Sequence, residues 1–223
     1  MTGPFTFTTS VKDTADRAIF YDDRLRDSAV KLIAMKAAWQ ARRLGQYGSP
    51  VIVFIDEPAL AGFGSSEFIS IGKEEVATCL GEVIDAIHRE NGLAGIHVCA
   101  NTDWSLLLES AVDIINFDAY SYFDRFILYA EQIGPFLARD GILAWGIVPT
   151  QEPEDIDRED AASLADLWET QAAALAKTGF DREAVLARSL ITPSCGTGAL
   201  DLAHATRVLS LTNEVSQRVR SLQ

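Results

Sequence analysis

Residues 51–55, Val-Ile-Val-Phe-Ile, form an unbroken apolar run. A run this short and this continuous suits a strand covered on both faces of a parallel sheet. Further strand-like runs lie at 95–99, 112–118, 141–148 and 190–195, and the β-branched and aromatic string at 3–9 predicts one more. Helical spacing lies between them, at 22–44, 73–90, 104–109, 124–139 (interrupted at Gly134-Pro135), 157–177 and 200–222. In 22–44 the positions that follow the spacing are Leu25, Ala29, Leu32, Ile33, Lys36 and Trp39. Punctuation fits these bounds: Gly45, Gly48 and Pro50 close one helix, Asn91-Gly92 another, and Gly62 to Ser66 form a glycine-serine loop.

Repeated strand-helix units imply a parallel α/β sheet, either doubly wound or closed as a (β/α)8 barrel. No Gly-x-Gly-x-x-Gly follows a strand, which removes support for dinucleotide binding. Polar chemistry at nearly every strand's carboxyl end favours the TIM-type barrel. About six βα units are legible, short of eight. Nothing in the composition marks a linker, so residues 1–223 read as a single domain. At 48% apolar and 23% charged, the chain can build its own core.

The net charge of −13, from 19 basic and 32 acidic side chains, argues against a nucleic-acid partner, which needs clustered Lys and Arg. No apolar run approaches the ~18 residues of a membrane span. Residues 1–5 show no signal-peptide pattern, so the expected compartment is the cytoplasm. The acidic run at 152–160 reads as a solvated loop capping the helix after it. Three cysteines do not make a disulfide framework, and Cys79, in a helical pattern, reads as a small buried residue.

Three strings carry the candidate chemistry: Ile96-His97-Val98-Cys99, Asn116-Phe117-Asp118 and Pro193-Ser194-Cys195-Gly196. His97 and Cys99, two apart on a strand, point the same way. With Cys195 and Asp118 at other strand ends they offer an imidazole, two thiolates and a carboxylate, a zinc-type set. Four protein ligands usually mean a closed structural site, yet no CxxC knuckle is present; a displaceable ligand would reconcile the set with catalysis. Asp118 shares its strand face with Asn116.

Asp56-Glu57 ends the 51–55 run. It reads either as a cap or as a carboxylate gripping a substrate ammonium, with one of the two facing the mouth. Trp104 walls the pocket or belongs to the core, and Tyr120 and Tyr122 line the pocket or pack on the rim. Gly196-Thr197-Gly198 offers a weak anion-binding signal at the start of the last helix. His88 and His204 read as surface or packing residues.

Asp56-Glu57-Pro58-Ala59-Leu60, His97-Val98-Cys99, Ile115-Asn116-Phe117-Asp118 and Pro193-Ser194-Cys195-Gly196 stand in the order seen in one family. The chain resembles the C-terminal catalytic domain of cobalamin-independent methionine synthases, within the superfamily of uroporphyrinogen decarboxylase and corrinoid-linked thiol methyltransferases. Thr2-Gly3-Pro4 is similar to an earlier part of that domain. The resemblance implies a (β/α)8 barrel with zinc held by His97, Cys99, Cys195 and Asp118, where the family has Glu for the last. It puts Asp56 at the amino group of homocysteine; Glu57 and Trp104 are the other substrate-binding candidates.

The chain departs from the family pattern in lacking the first two strands, the tryptophan expected near 8–11 and the histidine expected after the seventh strand, where Pro149-Thr150 stands. The resemblance implies a cytoplasmic zinc-dependent methyltransferase of methionine biosynthesis. It would transfer a methyl group to a small-molecule thiol from methyl-folate or a methylated corrinoid protein, and could act as a homo-oligomer. The alternatives are a decarboxylase-like relative and a non-catalytic or truncated zinc-binding barrel.

Overall fold

The computed structural model describes residues 1–65 and 68–221, so the predicted loop end at Ser66 and helix end at Leu222 lie outside the described residues. The chain folds as two compact units, one of residues 1–98 and 102–115, the other of 99–101 and 116 onward. In chain order the elements begin with α1 (Pro4–Ser10), α2 (Asp23–Leu44), β1 (Ile52–Asp56), α3 (Lys73–His88), β2 (Leu93–Val98) and α4 (Ser105–Leu108). β3 (Ile114–Phe117) follows and is shared between the units. Then come α5 (Ala119–Phe126), α6 (Ala130–Ala138), β4 (Ile142–Val148), α7 (Pro153–Arg158), α8 (Ala161–Ala176), α9 (Arg182–Ala187), β5 (Ser189–Pro193) and α10 (Leu202–Arg220).

The five strands follow the order β1-β2-β3-β4-β5, and β1–β2 and β4–β5 pair in parallel. This α/β arrangement is compatible with a TIM-like fold, and the described pairings form no closed ring. Among the described residues no helix is long and apolar enough to cross a membrane.

The first unit corrects the expected strand at 3–9. Only Thr2 bridges to Asp56, after which the chain turns into α1. The reason is tertiary. Pro4 opens the helix, where its missing N–H costs nothing. The buried carboxylate of Glu57 then accepts from Phe5 N at 2.9 Å, Thr6 N at 2.7 Å and Thr6 Oγ1 at 2.6 Å. Thr8 and Thr9 hydroxyls donate back to Pro4 O and Phe5 O, which removes their preference for extended backbone. Gly3 is required by close approach, since a Cβ there would fall 2.2 Å from Glu57 Oε1.

β1 is covered on one side only: Val53 and Ile55 are buried while Ile52 is exposed, against the reading of a strand hidden on both faces. Helix α2 covers the predicted range, and Asp22 caps it by accepting from Arg24 N and Leu25 N. Its buried face is Ala29, Val30, Ile33, Ala34, Ala37 and Ala41, packed along α3. Leu25, Leu32 and Trp39, which follow the helical spacing, are exposed.

The second unit has an aromatic core. Phe117 stacks on Phe126 at 4.0 Å between ring centres, and Trp145 meets Trp168 edge-on at 6.0 Å. The helix expected at 124–139 is instead α5 and α6, joined through a tight turn at Ile127–Tyr129 rather than broken at Gly134-Pro135. The cap at Asp118 starts α5 early. The helix expected at 157–177 is also two. Pro153 and the acids after it open α7, where negative charge suits the helix start. Asp160 then caps α8 by accepting from Ala162 N and Ser163 N, so the acidic run is helix as well as cap. The sixth predicted strand is absent because its residues form α1.

Burial pushes the Glu57 carboxyl up to about 7, against the hydrogen bonds from Thr6 and Phe5 that favour the anion. Between its ordinary value of 4.5 and about 7 the folded chain therefore holds a proton that the unfolded chain has released. This contribution to stability is unchanged below the ordinary value. It falls by up to ~3 kcal/mol as pH rises through that window, and levels off above it. Denaturant titrations of wild type and Glu57→Gln at both ends of the window check this. The slope should flatten in the variant; an equal slope in both proteins places its source elsewhere.

Candidate metal centre

His97 occupies the penultimate position of β2, and Cys99 follows two residues later. Cys195 comes two residues after β5 ends. One ligand atom from each of His97, Cys99 and Cys195 lies within 4.8 Å of the others, and all three side chains are partly exposed. Both sulfurs belong to the second unit. Burial, then the adjacent Cys195 sulfur, pushes the Cys99 thiol up, and the Asp118 charge adds to the shift. Such a thiol stays neutral until a cation compensates it, because metal charge inverts the local preference for the protonated form. One imidazole and two sulfurs suit zinc or another soft-accepting transition ion better than magnesium or calcium.

The Cys195 segment is held by groups that the sequence reading missed. Ser194 is buried, its N–H donates to Val148 O at 2.8 Å, and its hydroxyl pairs with that of Thr150 at 2.9 Å. Beneath it lies Gly146 of β4. A Cβ there would come within 2.8 Å of Ser194 Cα and 2.7 Å of Phe117 O. The only signal was a glycine inside a strand, which often marks close backbone approach.

The other predicted site residues divide. Asp118 is buried and stands outside the three-residue cluster. Its Oδ1 accepts from Ser121 N at 2.8 Å, capping α5, and Oδ2 faces Gln151 Nε2 at 3.5 Å. A strand end that doubles as a helix start gives the carboxylate this cap role. Asn116, its companion on that face, is buried and donates to Ala144 O and Thr192 Oγ1.

Asp56 pairs in register with His97 and keeps a half-exposed side chain, whose Oδ2 accepts from the Met1 nitrogen at 3.0 Å. Glu57 is buried with its oxygens committed to α1, and Trp104 is fully buried, so neither offers a surface to a substrate. Tyr120 bridges Arg158 and Glu159. The glycines at 196 and 198 do not open α10, which is capped by Asp201 accepting from His204 N. His204 also meets Asp201 through its ring, and His88 meets Asp113 at 2.7 Å. Cys79 is buried, with its thiol pushed up to about 11 by desolvation.

No family model matches the chain, and a search of curated proteins finds no similar sequence.

Two substitutions separate the roles of these residues. Gly146→Ala should displace the Ser194–Cys195 segment and weaken zinc retention in equilibrium dialysis by roughly fivefold or more, since overpacking at a fixed backbone contact costs about 1–3 kcal/mol. Asp118→Ala should cost about 1 kcal/mol of stability through the lost cap while zinc stoichiometry stays at the wild-type value. Loss of zinc from Asp118→Ala would make the acid a ligand after all.

Proposed function

We propose that this chain is a zinc-dependent methyltransferase whose acceptor is a small thiol, most simply homocysteine. The single observation that carries this reading is the gathering of His97, Cys99 and Cys195 within 4.8 Å. Bound there, zinc supplies the Lewis acidity that lowers a thiol's pKa and makes it a nucleophile at neutral pH. Three protein donors match the catalytic pattern of a metal that keeps a position for substrate.

His97 and Cys99, fixed two residues apart, set two donors on one rigid run of chain. Ser194 and Thr150 orient the segment that presents Cys195. Asp56, next to His97 in the parallel register, supplies a half-exposed carboxylate. In the proposed reaction it would hold the amino group of the acceptor and so orient the thiol toward the residues that would hold the metal. The methyl donor is a methyl-folate or a methylated corrinoid protein, and the resemblance to cobalamin-independent methionine synthases supports this choice.

The test combines metal content with turnover. Zinc-loaded protein given homocysteine and either methyl-folate or methylcobalamin should form methionine, read by mass spectrometry. Cys195→Ser should lose both zinc and activity, whereas Asp56→Asn should keep zinc and raise KM for the acceptor. Wild-type zinc stoichiometry in Cys195→Ser would remove the basis of the proposal. Chelation distinguishes a non-catalytic zinc-stabilised protein: a structural ion takes folding with it, whereas a catalytic one leaves the thermal transition near its original position.

A further inference from the structure

Helix α2 is apolar on two opposite faces. One face packs along α3, as described above. At 3.6 residues per turn, Leu25, Leu32, Met35 and Trp39 line the other, and their exposures are 42%, 61%, 72% and 61%. Isolated exposed apolar residues are ordinary, but a contiguous stripe of four large ones marks an interaction surface.

The borders of the stripe specify the partner. Arg24, Lys31 and Arg42 run along one side, and Lys36 and Arg43 along the other. Lys31 is engaged with Asp27 and Glu82, and Arg42 with Glu90. Among the described residues, Arg24, Lys36 and Arg43 form no ion pair with an acidic side chain. A chain of net charge −13 thus presents one apolar strip edged by basic groups.

We propose that this face of α2 docks an acidic amphipathic helix of another protein, with apolar residues on the strip and Glu or Asp along both borders. Two copies of this chain paired through α2 would set basic border against basic border. A flat anionic bilayer would also meet Glu82 and Glu90, which lie beside the basic border. A single helix, about 10–12 Å across, can set its acids against Arg24, Lys36 and Arg43, which among the described residues pair with no acidic side chain. The interaction is of the helix-on-helix kind, read by anchors at helical spacing, and charge at the rim sets partner choice.

The four tryptophans make the test direct, because Trp104, Trp145 and Trp168 are fully buried and Trp39 is exposed. The probe is a synthetic 18-residue helical peptide without tryptophan, bearing a leucine stripe bordered by glutamates. Its addition to the full chain should shift Trp39 emission to the blue and lower its acrylamide quenching several-fold. Raising the salt concentration should reverse the effect, since exposed charges are screened. The same peptide with lysine borders should have no effect, and Lys36→Glu/Arg43→Glu should abolish the response without altering circular dichroism. Leu32→Ser should weaken it in the same direction.

The proposal is overturned if Trp39 stays equally quenchable with the acidic peptide, or if the lysine peptide protects it as well. It is also overturned if protection arises from protein concentration alone or from phosphatidylglycerol–phosphatidylcholine vesicles and not from the peptide.

Discussion

Parallel pairing is the constraint from which the rest follows. When neighbouring strands run the same way, their carboxyl ends share one edge, and whatever side chains close those strands come together. Asp56 stands against His97 for this reason, although a crossover through helix α3 separates them in the chain. The same logic puts Cys195 just past β5 and Thr150 just past β4, where their backbone and hydroxyl neighbours meet. A parallel sheet needs crossover helices, and the crossovers fix how far apart in sequence the site residues must lie.

Much of this was legible in the residues. The apolar runs located β1 to β5 to within a few positions, and the His-x-Cys spacing with a distant strand-end cysteine found the donor cluster. What failed did so where a partner distant in sequence overrode local preference. Phe5 to Thr9 look extended in isolation and are helical because the buried carboxylate of Glu57 accepts from the first amides, Phe5 N and Thr6 N. Trp104 was ambiguous because burial is a property of the fold, not of the residue type. Asp118 has the right chemistry for a ligand, and its place one residue before α5 also makes it the cap of that helix. In α2 the periodicity is real but does not tell which face is inside: four alanines with Val30 and Ile33 carry the internal contact, and Leu25, Leu32, Met35 and Trp39 are exposed.

Polar satisfaction explains why two acids at one strand end behave differently. Glu57 points into the unit and is solvated there by peptide and hydroxyl protons, whereas Asp56 on the opposite pleat stays half exposed. Alternation along a strand is enough to separate a structural carboxylate from one open to chemistry. The donor cluster shows a similar division: Cys99 and Cys195 are partly exposed, whereas Ser194 and Thr150 are buried and hydrogen-bond to each other.

Position 146 carries a consequence for how such a chain changes over generations. Every other residue type would place a carbon where the backbone of Phe117 and Ser194 already stand. No single-base change at a glycine codon that alters the amino acid can escape that collision, so drift there has no neutral first step. A relative could accept a side chain at this position only after the cysteine-bearing turn had already moved, which ties the history of one strand to that of its neighbour.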